Sequence, residues 1–311
     1  MTMVTTLIAA LAFRLPFEPD VVRITVRPSA TDSRIDTFDS DHSVFLDPEV
    51  PAKNQLVLYL PGTNGKTMNT DGFCETAARL GFNVINLMYP DDVPATAARN
   101  EKDPDAMVNF RLEIIEGRDK SKFVEVDRAN SIENRLVKLL QYLAKNRPGE
   151  GWIQFVSGSN EPNWSKIIVS GGSQGAGHAA LIAIRHKVAG AVLFAGPKDF
   201  DRVRNAPAAW YTKPKTPIDR FYTFNHKQDH QGCDYTEQLE ICRVLGISPV
   251  ADVDQEKRPF HGAHALFTDF PGTPLTSVQA HASVIGDKAT PKEEDGKYLF
   301  QPVWEYMLTG H

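Results

Sequence analysis

The chain has 311 residues, 41% of them hydrophobic and 23% charged. This balance excludes a mainly disordered protein and lets a chain of this length bury about three quarters of its unfolded surface. Thirty-four lysines and arginines against 39 aspartates and glutamates give a net charge of −5, which leaves no cationic excess for a nucleic-acid backbone or an anionic membrane.

No apolar run reaches the roughly 18 residues of a membrane span. Residues 1–20 stand apart from the rest: the run Leu7-Ile8-Ala9-Ala10-Leu11-Ala12 has the look of a secretion-signal core, without the cationic start such signals carry. Read as a signal remnant, it implies a secreted or periplasmic protein; read as a buried strand or an expression start, a cytoplasmic one. Residues 21–311 read as a single α/β domain, with no internal repeat and no proline-rich or glycine-serine linker.

Residues 21–26 and 43–46 alternate in the manner of antiparallel edge strands. Residues 55–60 form a continuous β-type run, followed by loop glycines, a helical pattern over 74–80 and a second strand over 82–88. The densely charged stretch 91–130 mixes weak helix with loop and reads as a solvated surface insertion. Beyond it come a helix over 131–145, a strand over 166–170, a helix over 177–185 and a strand over 190–194. A strand over 221–224, a helix over 235–245 and a strand over 263–268 complete the series. Apolar strands separated by helices predict a mostly parallel sheet covered on both faces. Of the three cysteines, Cys233 and Cys242 fall on opposite faces if one helix holds both, so two core thiols are expected rather than a bridge.

The chemistry concentrates after the strand over 166–170, in Gly171-Gly172-Ser173-Gln174-Gly175-Ala176-Gly177-His178. A strand that turns at once into a helix strains the turn residue, and a Cβ at Gly171 or Gly175 is expected to collide with the adjoining chain. Such a turn lifts Ser173 Oγ to the head of a helix whose N-terminal partial charge favours an anion, with the N–H of Gln174 beside it. His178, on that helix, is expected to pack within the fold.

From this motif the chain resembles the α/β-hydrolase superfamily, over nearly its whole length from Val21. Its Ser-Gln-Gly core is similar to the elbows of cutinases and acetylxylan esterases. The resemblance implies an α/β-hydrolase fold and a nucleophile, acid and histidine in the order Ser, Asp/Glu, His. Asp229, on the loop after the strand over 221–224, is the first choice for the acid. Asp199, after the preceding strand, is the second and Asp234 the third. Among the histidines that follow, His230, His261, His264, His281 and His311, the choice is His281, read as lying on the loop beyond the last strand. The second oxyanion donor is expected from the loop after the first central strand, at the N–H of Thr63 beside Gly62.

Only some 26 residues separate the strands ending at 194 and starting near 221, and three prolines among them argue against a large helical cap. Trp210 and Tyr211 in this segment are candidates for lining the substrate pocket. The resulting expectation is a serine carboxylic-ester hydrolase acting through an acyl-enzyme on a small-molecule or polymeric ester, with no metal and no organic cofactor. Two other readings stand beside it. Gly62-Thr63-Asn64-Gly65-Lys66-Thr67 also resembles the phosphate loop of Mur ligases and folylpolyglutamate synthases, which implies an ATP-dependent ligase. A non-catalytic binding protein on the hydrolase fold is the third.

Overall fold

The computed structural model describes residues 21–310. The signal-like run within residues 1–20 and His311 lie outside the described residues.

Among the described residues nine strands form one sheet. In chain order its members are β1 (Val22–Val26), β2 (His42–Leu46), β3 (Leu56–Leu60), β4 (Asn83–Asn86), β5 (Ile167–Gly172), β6 (Gly190–Phe194), β9 (Phe221–His226), β10 (Val250–Asp252) and β11 (Ala265–Thr268). The spatial order is β1-β2-β4-β3-β5-β6-β9-β11-β10. β2 runs antiparallel to both β1 and β4, and every pairing from β4 to β10 is parallel. This is the α/β-hydrolase arrangement, with the antiparallel edge that the alternating segments near the N-terminus predict.

The central strands carry no polar face because both faces are covered. All five residues of β3 are buried. Leu56, Leu58 and Leu60 meet a core completed by the helices α3 (Ala106–Glu116), α4 (Ile132–Asn146), α5 (Gln174–Arg185) and α6 (Tyr235–Leu245). Val57 and Tyr59, pointing the other way, meet α2 (Asp71–Arg79) and α8 (Gln301–Thr309). The chain leaves β3 toward β4 on one side and returns to β5 on the other. The carboxyl ends of β3 and β5 therefore border a topological switch point, where open α/β sheets leave a crevice.

Two expectations about elements fail. Residues 91–130 do mix helix with loop, but they are not a solvated insertion, since eight residues of α3 are buried. Arg111 and Glu113 are among those eight, and two buried charges erase the polar–apolar contrast by which a helix face is read. The edge strand β10 was not expected, being three residues long. Between β6 and β9 there is no large cap, only a two-stranded pair, β7 (Phe200–Asp201) with β8 (Ala206–Pro207), and a short 3₁₀ turn. Two short helices, α1 (Pro28–Thr31) and α7 (Ser277–Ser283), complete the architecture. All three cysteines are free and buried. Among the described residues no helix is long and apolar enough to cross a membrane.

Candidate active site

Ser173 joins β5 to α5 with φ 56° and ψ −116°, a left-handed conformation that a side chain with a Cβ rarely adopts. Its neighbours explain how the strain is held. A Cβ on Gly171 would lie 2.5 Å from the Gly175 carbonyl carbon, and one on Gly175 would lie 2.0 Å from Leu60 O, so only glycines let helix and strands approach this closely. The N–H of Ser173 donates to Phe194 O at 2.9 Å, fixing the turn to β6. Ser173 is half-buried between fully buried neighbours.

The loop after β3 runs against this serine. A Cβ on Gly62 would stand 3.0 Å from Ser173 Cβ and 3.2 Å from Gly172 O. Thr63 Oγ1 donates to Gln174 Oε1 at 2.9 Å, and the Ala95 N–H donates to the same oxygen at 2.8 Å, so this amide clamps two loops to the head of α5. The backbone N–H groups of Thr63 and Gln174 have no protein acceptor among the described residues. For Gln174 the cause is its place in the first helical turn.

The same geometry weighs against the phosphate-loop reading. Asn64 N–H donates to Asp91 O at 3.0 Å, and Gly65 N–H donates to Gly62 O and Asp91 Oδ2 at 2.8 and 3.1 Å. Thr67 Oγ1 donates to Asp41 O and accepts from Ser43 Oγ. Two of the backbone donors of this loop, and the hydroxyl that would meet a magnesium ion, are thus engaged within the protein. The loop leads into a 3₁₀ turn at Thr67–Asn69, not a long helix. Burial pushes the Asp91 carboxyl up to about 7.

Asp229 follows β9 and is fully buried. Its Oδ2 accepts from His281 Nδ1 at 2.7 Å and from Lys198 Nζ, and its Oδ1 accepts from the Gln231 N–H at 2.8 Å. Burial alone would raise this carboxyl; the hydrogen bond and charge of His281, with Lys198, overcome it and hold the group below the usual carboxylate range. His281 lies not on a loop but in the last turn of α7, whose start carries a capping box between Thr276 and Gln279.

Asp199 sits differently. Arg111 grips it through two bonds of 2.6 Å, Trp210 Nε1 donates to it at 2.9 Å, and its N–H donates to Tyr211 Oη at 2.9 Å. Arg111 also donates to Gln174 O at 3.0 Å. Asp234 caps α6 by accepting from Glu237 N–H. His261 pairs with Glu256, His264 Nδ1 bonds Phe221 O, and His230 is exposed. His178 is fully buried against Tyr89.

A cavity of about 450 Å³ brings Ser173, His281, Gly62, Thr63 and Gln174 to one surface. Trp210 and Tyr211 do not line it, which corrects their reading as pocket residues. Their rings are buried behind the site, where their polar atoms hold Asp199, and the apolar walls come instead from Met107, Phe200 and Ile285. Lys198 and Arg111, both of which line the cavity, were not anticipated, because their partners are remote in sequence. Among the described residues no group of three or more His, Cys, Asp or Glu is placed to hold a metal ion.

No protein-family model matches the chain, and no curated protein does. Similar solved structures include esterase 2 of Thermogutta terrifontis phosphorylated by paraoxon, 12% identical, with 95% of this chain and 94% of that chain covered at a TM-score of 0.42. TT1662 from Thermus thermophilus is 14% identical over 94% of this chain and 100% of its own, at 0.43. A bacterial heroin esterase is 17% identical over 96% and 85%, at 0.45.

Proposed function

We propose that the protein is a serine-dependent carboxylic-ester hydrolase that works through an acyl-enzyme. The observation that carries this reading is the His281–Asp229 pair, bonded at 2.7 Å, with its imidazole on the same cavity as the strained Ser173. In this reading His281 Nε2 takes the Ser173 proton as Oγ bonds to the ester carbon. The carbonyl π electrons move to oxygen, where the N–H groups of Thr63 and Gln174 receive the negative charge. Collapse breaks the bond to the alcohol, which leaves with the proton held by His281. Water, deprotonated by the same imidazole, then attacks the acyl-enzyme and releases the acid with Ser173 restored.

Asp229 has one task in this scheme, to keep Nδ1 protonated and so leave Nε2 free to accept. Its buried carboxyl, held below the usual carboxylate range, suits that task because it stays ionised at neutral pH. The scheme draws on no cofactor. A fluorophosphonate should label the parent protein once and leave Ser173→Ala unlabelled, and the variant should fold normally while losing ester hydrolysis. Equal labelling of parent and variant would overturn the assignment.

A further inference from the structure

The charge on the cavity wall is unbalanced. Among the described residues four cationic side chains line it, Lys66, Arg99, Arg111 and Lys198, against a single carboxylate, Asp199. Arg111 is neutralised by Asp199 and Lys198 by Asp229. Lys66 and Arg99 have no hydrogen-bonded or ion-paired side-chain partner among the described residues. The carboxylate of Glu237, whose charge reaches Arg99, is already held through both oxygens by Arg202. This surplus runs against the whole chain, whose net charge is −5.

Arg99 is the better placed of the two. It is half-buried, and it directly follows the 3₁₀ turn Ala95–Ala98, whose first N–H is tied to Gln174 beside the nucleophile. At a rise of about 2 Å per residue, Arg99 stands about 8 Å along the wall from that tie. Its backbone is fixed as well, since Arg99 O accepts from the Arg202 N–H at 3.0 Å. On this fixed backbone the guanidinium carries a planar fork of donors with no protein acceptor among the described residues, and such a fork can take a carboxylate through two bonds. Lys66, exposed on the loop that carries Thr63, adds a second attractive charge at the rim.

We infer that the ester taken by this cavity carries a free carboxylate, as in a half-ester of a short dicarboxylic acid, and that Arg99 binds it. The hydrolytic part of this inference rests on the proposed esterase activity; the recognition part does not. The kinetic test compares mono-4-nitrophenyl glutarate with 4-nitrophenyl pentanoate, which match in chain length and differ in the terminal charge. The parent should favour the charged ester in kcat/KM, and high salt should weaken that preference. Arg99→Gln should lower the charged-to-neutral ratio by about tenfold or more, the scale of one charge-assisted contact. A parent that favours the neutral ester, or an Arg99→Gln that leaves the ratio unchanged, overturns the inference.

A binding arm separates this failure from failure of the esterase reading. Monoethyl glutarate and ethyl pentanoate are titrated calorimetrically into the Ser173→Ala protein, with and without Arg99→Gln. Selective binding of the charged compound that depends on Arg99 upholds the recognition site even if neither nitrophenyl ester is hydrolysed. Equal binding of the two compounds refutes it even if both esters turn over.

Discussion

Asp199→Asn and Asp229→Asn form one experiment, because the two carboxylates sit at equivalent places after neighbouring strands and their surroundings assign them different work. The Arg111–Asp199 pair is almost completely buried, with side-chain exposures of 2% and 3%. Changing Asp199 to Asn leaves the almost completely buried guanidinium with no counter-charge, a loss of about 3–5 kcal/mol. At an unfolding entropy of about 2.1 cal/mol/K per residue, the melting temperature should fall by about 5–8 °C. The turnover number, measured well below that temperature, should fall by less than about tenfold. Asp229→Asn should instead reduce kcat by about 10⁴, because an amide no longer fixes the proton on His281 Nδ1. Melting is followed by circular dichroism and turnover with 4-nitrophenyl esters. The reasoning is refuted if Asp199→Asn melts like the parent, or if Asp199→Asn is the variant that loses turnover while Asp229→Asn remains active.

Other changes probe the surroundings of the same site. Gly62→Ala pushes a methyl to 3.0 Å from Ser173 Cβ; overpacking of about 1–3 kcal/mol at the reacting atoms should lower kcat by about ten- to a hundredfold, and an unchanged kcat would show that the loop yields freely. Lys198→Met frees the Asp229 charge to act on the imidazolium alone, so the acid limb of kcat/KM against pH should move to higher pH; a limb that stays in place would mean that Lys198 does not share in setting it. Asp91 titrates at about 7 in the folded protein and near 4 when unfolded, so its ionisation costs stability that is absent below about pH 4, grows up to about pH 7 and is constant above. Asp91→Asn, which keeps an acceptor for Gly65, should therefore raise the melting temperature at pH 8 and leave it unchanged at pH 4; equal shifts at both would refute the burial argument.

Where local pattern and tertiary packing agree, the sequence is legible. β6 and α6 begin and end where periodicity puts them, at Gly190–Phe194 and Tyr235–Leu245. α5 begins at Gln174, three residues earlier than its pattern suggests, because Gly175 and Gly177 depress helix propensity in its first turn. Packing demands them: a Cβ on Gly177 would stand 2.2 Å from the Arg111 guanidinium. The helical setting of His281 was available in the Thr276 and Gln279 capping pattern, a signal that competing loop residues around it obscure.

The candidate site divides along a similar line. Its glycines and Ser173 lie within one local motif, and a strand-to-helix turn imposes their spacing whatever the rest of the chain does. The choice of acid is a long-range matter. Asp199 and Asp229 both follow strands in the central sheet, and nothing within ten residues of either distinguishes them. The difference is made by Arg111, 88 residues before Asp199, and by His281, 52 residues after Asp229. Arg111 and Trp210 approach both oxygens of Asp199, so a histidine would have to displace a buried cation to reach it. At Asp229 one oxygen is shared by Lys198 and His281, and the other is fixed by a backbone N–H, which orients the carboxylate toward the imidazole. Lys198 and Asp199 are adjacent in sequence yet bind different carboxylate systems. The short segment after the Gly196–Pro197 bond therefore anchors the buried Arg111 pair through one residue and reaches the proposed catalytic carboxylate through the next.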